Sequence, residues 1–544
     1  MSTERLFKWE YSAKSESTFQ TCMMKASSHQ RALYCYLLLS VWIFLLVAGM
    51  YKYMGIDVGS SLGHIGNNVV EVYPRSAKLD IKMRRIIKVC NPPSQITVGS
   101  EGHIESNHTL EGIIVFLRHG DRGPMSHVRN ISNVHCGGDL LEQSSLSVNP
   151  LYPAFKAFMQ NLSVPGNRPA GAEKFLGNFN DFQLSPPLSG KCQLGQLTPV
   201  GLSQILTIGH ILKQAYFERL NLGNGSMTKE NAKLYTTRYR RTVQSAIAFL
   251  TSFLSPEDVL KMSLQESYSV SFCFDYCACP AVDKYTQKFA RERAEHFQSH
   301  PAVIELVKKA APIVYDNNID STPLFSDPHS LRDAFLTYVC HGAPLPCVET
   351  SDNKDDCIHI DQVTGLFAYT EWEAKQYAKS PSLKKSCLLR AYGVLRNVVN
   401  HMLSMVSEKK PKLVLYSGHD MTLQYLTTAL GVLSESSTSA YYASRLIFEV
   451  YRDGELVSDS QPSAKEYFFR LVYNGRDLTS RIHFCKGRGK FVEGAANEDA
   501  SNANASTKPH TFLCPIESII RFLHDDYFAI FNVTNFKDAC AVHS

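Results

Sequence analysis

Residues 118–124 (RHGDRGP) place a histidine between two arginines, a combination suited to chemistry on a phosphate group. Arginine can hold phosphate oxygens through planar, bidentate contacts, so Arg118 and Arg122 are candidate phosphate ligands. Their positive charge also favours the neutral imidazole of His119, whose free nitrogen lone pair can attack phosphorus. The motif therefore predicts that His119 forms a covalent phosphohistidine, which water then hydrolyses.

Two other segments carry residue types that could complete this site. Residues 236–242 (TTRYRRT) contain Arg241, and residues 417–420 (SGHD) contain His419 and Asp420. Each segment has a plainer interpretation when taken alone: a solvated basic run for the first and an ordinary loop for the second. Each, however, lies at the end of a predicted secondary-structure element, which is where α/β proteins place their sites.

The elements predicted around these segments are typical of an α/β fold. Residues 113–117 (IIVFL) and 413–416 (LVLY) are continuous apolar runs and predict buried parallel strands. Thr198 followed by Pro199 predicts the N-terminus of a helix that continues to residue 216. Further helices are predicted at 243–253 and 283–297, and further strands at 445–451 and 468–473.

Taken together, the motifs resemble the histidine phosphatase superfamily in its acid phosphatase branch. Four segments occur in the family's order: RHGDRGP (118–124), QLTPVGLSQ (196–204), TTRYRRTVQSA (236–246) and SGHDMTL (417–423). The resemblance covers the chain from about Ile113 to Cys540. It implies a mixed α/β sheet flanked by helices, in a catalytic domain at 89–544. A helix-rich cap is expected as an insertion at about 125–195 and 265–395.

The resemblance also implies roles for individual residues. His119 is the nucleophile, and Asp420 is the general acid that protonates the departing alkoxide and then the base that activates water. The implied phosphate ligands are Arg118, Arg122, Arg241 and His419. Asp121 is the main alternative acid. Its arginine neighbours favour the ionised carboxylate, which suits an orienting role better than proton donation.

No metal or other cofactor is expected at this site. The mechanism needs no cation, and the sequence lacks the H-E-x-x-H, EF-hand and Walker patterns. A net charge of +5 without a block of like charges gives no indication of a nucleic acid partner.

Four segments outside the site resemble a Golgi branch of the family that acts on phosphorylated xylose. They are CFDYCACP (273–280), SRLIFEVY (444–451), YNGRDLT (473–479) and LCPIESIIRFL (513–523). The implied reaction is removal of the 2-phosphate from xylose in the glycosaminoglycan–protein linkage region. Gly123 departs from that branch, which carries a bulkier aromatic residue there. The glycine either removes a surface on which a sugar could stack or widens the entrance.

Two other functions are open on the sequence. Within the family, the alternative is a broader acid or inositol-polyphosphate phosphatase. The alternative of another class is an inactive lumenal module that binds phosphorylated glycans or assists a glycosyltransferase. The presence of both His119 and Asp420 argues against the inactive module.

An uncharged apolar run at 32–51 predicts one membrane-spanning helix, because its length matches a hydrocarbon core of roughly 30 Å. A cleaved signal peptide or a buried core helix fits less well, since the run is long and starts late. Five lysines and arginines precede it and only Lys52 follows within the next twenty residues. This asymmetry predicts a cytoplasmic tail at 1–31 and a lumenal chain after the anchor, beginning with a stem at 52–88. The expected location is the Golgi membrane, as a single-pass type II protein.

The predicted lumenal part carries signs of secretory processing. Six N-x-S/T sequons are candidate glycosylation sites: Asn107, Asn130, Asn161, Asn224, Asn504 and Asn532. Thirteen of the 15 cysteines follow the apolar run, and the odd number leaves at least one without an intrachain partner. Cys485 and Cys514 flank a polar loop at 494–509 and could close it, whereas Cys387 is extra relative to the family. A zinc site at 273–279 fits less well than disulfides because no second Cys/His pair has suitable spacing.

Overall fold

The computed structural model describes residues 81–542 with internal gaps, together with Ser40. The gaps are 105–107, 138–148, 165, 167, 183, 185–186, 188–190, 224–226, 316–326, 350–354, 433–439, 455–463 and 494–509. Apart from Ser40, the predicted tail and membrane-spanning helix lie outside the described residues, as does the predicted stem before residue 81. None of the helices within the described ranges is long and apolar enough to cross a membrane.

The described part of the chain contains both α-helices and β-strands. The helices are α1 (Ile81–Cys90), α2 (Tyr152–Ser163), α3 (Ala172–Leu176), α4 (Pro199–Tyr216), α5 (Arg240–Phe253), α6 (Pro256–Leu260), α7 (Pro280–Gln298), α8 (Pro301–Val314), α9 (Pro328–Cys340), α10 (Ile360–Tyr377), α11 (Pro381–Ser407), α12 (Asp420–Ala429), α13 (Ile516–Arg521) and α14 (Phe536–Cys540). The strands are β1 (His108–Arg118), β2 (Ala232–Thr237), β3 (Leu264–Ser267), β4 (Cys347–Glu349), β5 (Asp355–Cys357), β6 (Leu413–Gly418), β7 (Arg445–Asp453), β8 (Tyr467–Tyr473), β9 (Arg476–Asp477), β10 (Lys490–Glu493) and β11 (His510–Pro515).

The main sheet has a parallel half and an antiparallel half. Its strand order is β10-β11-β8-β7-β1-β6-β2-β3, with β9 beside β8. Strands β1, β6, β2 and β3 run parallel, whereas β7 lies antiparallel on the other side of β1. This mixed sheet with flanking helices confirms the α/β fold class predicted from the sequence.

Strand β1 shows why its sequence is apolar on both faces. Residues 113–117 are at most 1% exposed. Ile113 and Leu117 pack with α2–α5 on one face of the sheet, and Ile114 and Phe116 pack with α7 and α11–α13 on the other. Because side chains alternate across a strand, a sheet covered on both faces requires a continuous apolar run.

The other elements predicted from the sequence are also found. The predicted strands lie within β6, β7 and β8. The helix predicted from Thr198 and Pro199 is α4, whose first turn is capped by the Thr198 side chain, and the remaining two predicted helices lie within α5 and α7. The capping and periodicity signals therefore locate these elements to within a few residues.

A third apolar cluster forms away from the sheet and defines the cap. It joins α1, α8, α9 and α10 through buried residues that include Ile87, Phe335 and Leu366. Within the two ranges predicted for the cap, α2, α3, α7 and the first part of α11 contribute buried residues to the clusters that cover the sheet. Composition marks both ranges as helix-rich, but the direction of each apolar face decides which core a helix joins.

Helix α1 belongs to the folded domain although it lies in the range predicted as stem. Ile86 and Ile87 are at most 3% exposed, and Cys90 is bonded to Cys340 of α9. These buried residues lie close to residue 88, where composition predicts the end of the stem. The lysines and arginines of α1 give this segment a polar composition. Composition therefore does not reveal the apolar pair, Ile86 and Ile87, that packs in the cap.

Six disulfides connect the described cysteines and confirm the disulfide prediction. They are Cys90–Cys340, Cys136–Cys192, Cys273–Cys277, Cys279–Cys540, Cys347–Cys357 and Cys485–Cys514. The last pair closes the polar loop. Cys273, Cys277 and Cys279 are all in disulfides, which excludes the zinc alternative at 273–279. Cys387 is the free cysteine among those described; it is buried, and burial raises the pKa of its thiol to about 12.

Candidate active site

The sequence motifs meet at one edge of the sheet. Arg118 lies opposite Gly418 across β1 and β6, and Thr236 lies opposite Ser417 across β2 and β6. The backbone N–H of His119 donates to the carbonyl oxygen of Gly418 at 3.1 Å. The carboxyl ends of three neighbouring parallel strands therefore bring the three charged segments to one place.

Two glycines let the 118–124 loop lie directly on helix α4. A Cβ atom at Gly120 would lie 2.1 Å from the carbonyl oxygen of Gly201, and one at Gly201 would lie 2.1 Å from the carbonyl oxygen of Asp121. A side chain at either position would push the loop away from the helix. The Thr198 hydroxyl accepts from the backbone N–H of Gly201 at 3.0 Å, and the backbone N–H of Thr198 donates to Asp121. The second motif thus supports the first.

The Asp121 side chain is turned into the protein. Its carboxylate is buried, accepts a hydrogen bond from the Thr198 hydroxyl at 2.6 Å and lies 3.0 Å from Nε2 of His341. Its backbone N–H donates to the side-chain oxygen of Gln204 at 2.7 Å. These contacts suit the orienting role that the sequence favours over acid catalysis. The sequence does not indicate that Thr198 and His341 contact the Asp121 carboxylate.

His119 is buried, and its ring is fixed in one orientation. Nδ1 lies 2.8 Å from the carbonyl oxygen of Gly120. A carbonyl oxygen can only accept, so Nδ1 carries the proton in this contact and Nε2 keeps its lone pair. Burial first, and then the charges of Arg241 and Arg118, hold the pKa of His119 well below its ordinary value. The ring is therefore neutral near neutral pH.

His419 follows β6 and precedes helix α12. Its ring accepts a hydrogen bond from the backbone N–H of Thr422, and its Nε2 lies 2.9 Å from the hydroxyl of Thr237. Burial and the charge of Arg241 lower the pKa of His419 to about 4. The ring centroids of His119 and His419 are 5.5 Å apart. Two contacts thus orient His419 beside the candidate nucleophile.

Asp420, the first residue of α12, forms an ion pair with Arg118. The carboxylate oxygen lies 3.1 Å from Nη2, and the Asp420 side chain is 46% exposed, so that solvent reaches the carboxylate. Arg118 also donates to the carbonyl oxygen of Ala440, and its guanidinium lies 4.4 Å from the ring centroid of Tyr442. Partial burial acts to raise the pKa of Asp420, but the charges of Arg118 and Arg122 outweigh it and lower the pKa.

Arg122 and Arg241 complete the group of predicted arginines. Arg241 donates to the carbonyl oxygen of Gly195 at 3.3 Å, and its guanidinium lies 4.5 Å from the ring centroid of Tyr239. Burial and the charge of Arg122 lower the pKa of Arg241 to about 10. Arg122 donates to both carboxylate oxygens of Asp333, at 2.8 and 3.1 Å. The structure therefore brings all six predicted catalytic and phosphate-binding residues to one site.

Cap helix α9 contributes two residues that the sequence does not indicate. Asp333 holds Arg122 and also accepts from the backbone N–H of Met125 at 3.2 Å. The guanidinium of Arg332 lies 4.8 Å from the ring centroid of Phe367. Burial and the charge of Arg118 lower the pKa of Arg332. The Arg332-Asp333 pair belongs to no recognisable motif, so only the fold reveals its place.

Gly123 does not leave an open space beside the site. A Cβ atom there would lie 2.1 Å from the carbonyl oxygen of Gln193, and the Gly123 N–H donates to the carbonyl oxygen of Gln196 at 3.0 Å. The backbone of Gln193 therefore occupies the space that a side chain at position 123 would need. Of the two sequence-based interpretations, the widened entrance receives no support.

Among the described residues, one group of side chains has the spacing of metal ligands: Cys136, Cys192 and His341. The two cysteines are joined in a disulfide. Their sulfurs are therefore not thiolates, the form in which cysteine binds metal.

This geometry is accompanied by a match to a known family. The model of the histidine phosphatase superfamily (branch 2) matches residues 109–474, so the chain belongs to that family. It is a phosphoric monoester hydrolase of the histidine acid phosphatase type. The family resemblance of the sequence motifs is thereby confirmed.

Individual proteins that are similar to this chain share a limited fraction of identical residues with it. The 2-phosphoxylose phosphatase 1 of Xenopus tropicalis is 27% identical over 83% of this chain and 81% of its own length. The protein of the same name from Homo sapiens is 28% identical over 83% of this chain and 85% of its own length. The solved apo structure of the Bifidobacterium longum multiple inositol polyphosphate phosphatase has 12% identity and a TM-score of 0.45, and it covers 79% of this chain and 97% of its own.

Proposed function

We propose that this protein removes the 2-phosphate from xylose in the glycosaminoglycan–protein linkage region, through a phosphohistidine on His119. The observation that supports this mechanism is the contact between Nδ1 of His119 and the carbonyl oxygen of Gly120, because it leaves Nε2 free to attack phosphorus. Attack forms the N–P bond and breaks the bond between phosphorus and the sugar oxygen. The electron pair of the broken bond leaves with the sugar oxygen, which then needs a proton.

The arginines supply the charge that the phosphate ester requires. A phosphate monoester carries about two negative charges, and phosphoryl transfer depends mainly on positioning and on stabilising the equatorial oxygens. The guanidinium groups of Arg118, Arg122 and Arg241 surround His119, with the ring of His419 beside it. Burial, and after it the charge of Arg122, lowers the pKa of Arg241 to about 10, so the charged guanidinium is disfavoured in the free protein. An incoming phosphate would balance these positive charges.

Asp420 is the proposed proton donor, and substrate binding prepares it for that role. In the free protein Arg118 lies 3.1 Å from the carboxylate and favours its ionised form. A bound phosphate competes for Arg118 and adds negative charge, and both effects raise the pKa of Asp420. The protonated carboxyl can then protonate the leaving sugar oxygen. The carboxylate that remains takes a proton from the water that attacks the phosphohistidine.

The xylose substrate rests on similarity outside the site. The two relatives named 2-phosphoxylose phosphatase 1 are similar to this chain over most of their length. The segments 273–280, 444–451, 473–479 and 513–523 resemble the same branch of the family. The phosphate ligands alone do not separate a xyloside from another phosphate ester.

A substrate comparison tests this proposal. The full-length protein, purified in detergent, should have a higher kcat/KM for a linkage glycan that contains 2-phosphoxylose than for inositol hexakisphosphate. Protein carrying His119→Ala, purified in parallel, controls for contaminating phosphatases. Equal or greater efficiency on inositol hexakisphosphate would reject the xylose substrate and leave the phosphatase assignment in place.

We also propose that the protein is a single-pass type II protein of the Golgi membrane, anchored by residues 32–51. The six disulfides suit an oxidising compartment. Of the six sequon asparagines, Asn130, Asn161 and Asn532 are exposed, and the other three lie outside the described residues. A glycosyltransferase that extends the same linkage glycan is the partner that this location suggests.

The topology has its own test. Glycosidase treatment should lower the apparent mass of the full-length protein, and protease added to sealed microsomes should remove only the short N-terminal tail. Addition of detergent should then expose the whole chain to the protease. Digestion of the C-terminal part in sealed vesicles would reverse the proposed orientation.

A further inference from the structure

A cleft of about 250 Å³ lies beside the candidate active site, against cap helix α9. Arg122 belongs both to this cleft and to the phosphate ligands, so a group attached to the phosphate can enter the cleft. Its other walls include the side chains of Met125 and Tyr315, which are apolar or aromatic, and those of Asp327 and Asp333. The cleft therefore has the position expected of a leaving-group site.

Both carboxylates that line the cleft lie close to an arginine. Asp333 pairs with Arg122 through two hydrogen bonds, and the two side chains are 23% and 11% exposed. Asp327 caps α9 by accepting from the backbone N–H of Ser330 and lies 3.7 Å from Arg293. The lining thus contains two carboxylates, the guanidinium of Arg122, which Asp333 already binds, and the imidazole of His329, which contacts the carboxylate of Glu373.

This arrangement discriminates between leaving groups by charge. A second phosphate of a polyphosphorylated substrate would lie near two carboxylates, and the Arg122 guanidinium would already be shared between Asp333 and the phosphate that reacts. Repulsion between like charges a few ångströms apart in a partly buried site is substantial. An uncharged polyol can instead donate hydroxyl hydrogen bonds to the same carboxylates.

We infer that Asp333 selects the substrate class, and that it makes the site specific for monophosphate esters of uncharged alcohols and sugars over polyphosphates. This inference rests on the proposed function and adds to it a specificity-determining residue on the cap. Asp333 acts through charge on the cleft wall and takes no part in the proton transfers. Its removal should therefore change selectivity in a predictable direction.

The test compares two substrates that share one ring, inositol 1-phosphate and inositol hexakisphosphate. In full-length protein, Asp333→Asn should raise the kcat/KM for the hexakisphosphate relative to the monophosphate by roughly 10- to 30-fold, as expected when a nearby like charge is removed. Asp333→Glu keeps the charge and should keep the wild-type ratio. Glu305→Gln removes an exposed cap carboxylate that pairs with Lys309 and should leave the ratio unchanged.

Asp327→Asn provides a second measurement that does not alter the partner of Arg122. Asparagine is also a good N-cap, so α9 should keep its first turn while the cleft loses one negative charge. The ratio should again rise, by a smaller factor. If Asp333→Asn does not fold, the ratio for Asp327→Asn decides the question.

Two outcomes have distinct meanings. An equal fall on both substrates in Asp333→Asn, with an unchanged ratio, would show that Asp333 only orients Arg122 and would overturn the inference. A wild-type protein that hydrolyses neither these esters nor a phosphoxylose glycan would instead reject the proposed function.

Discussion

Replacement of His119 by alanine is expected to abolish phosphate release, with a loss in kcat of at least about 10⁴-fold, because no other group would form the covalent intermediate. The ring is positioned for this role by its contact with Gly120 and is kept neutral by burial and by the arginines. Wild-type protein mixed with substrate and denatured rapidly at alkaline pH should carry phosphate that is released by acid. Mass spectrometry should locate that phosphate on His119.

A second buried histidine provides the matched control. His401 lies on α11, where its Nε2 is 3.4 Å from the hydroxyl of Tyr235, and burial lowers its pKa to about 4. His401→Gln should retain phosphate trapping even if it lowers the thermal stability. Phosphate trapped on a serine, aspartate or cysteine, or a fully active His119→Ala protein, would remove His119 as the nucleophile.

The local parts of this site could be predicted from the sequence because they lie in short contiguous segments. Residues 118–124 and 417–420 each follow a strand whose apolar run is easily recognised. Once β1 and β6 are known to be parallel, their ends must meet at one edge of the sheet. The Thr198 cap likewise marks the start of α4.

The contributions of the cap could not be predicted in this way. Asp333 and Arg122 are in contact although more than 200 residues separate them in the sequence, and a similar sequence separation divides His341 from Asp121. Such pairings depend on how α9 packs in the cap cluster, and no local pattern specifies that. The same limit explains the cap boundaries, since α2 and α11 have helical sequences like those of α8–α10 but bury their apolar faces on the sheet.

Replacement of Asp420 by asparagine should affect two chemical steps, protonation of the leaving group and hydrolysis of the phosphohistidine, and the choice of substrate should distinguish them. An aryl oxide leaves with little protonation, whereas a sugar alkoxide needs a proton from Asp420. We therefore expect kcat/KM for a sugar phosphate to fall about 10³-fold and that for an aryl phosphate to fall by less than about tenfold, the range that general acid catalysis supplies. The lost base should also slow hydrolysis of the intermediate, so the variant should accumulate phosphohistidine on aryl phosphate.

Asp121→Asn is the matched variant, because Asp121 is the other carboxyl in the motif and the alternative acid. Its carboxylate is held by Thr198 and His341 inside the protein, so its loss should disturb the loop and reduce activity equally on aryl and sugar esters. The dependence on the leaving group is therefore the decisive measurement. If Asp121→Asn shows that dependence and Asp420→Asn does not, the acid is Asp121, and the exposed carboxylate beside Arg118 serves only to order that arginine.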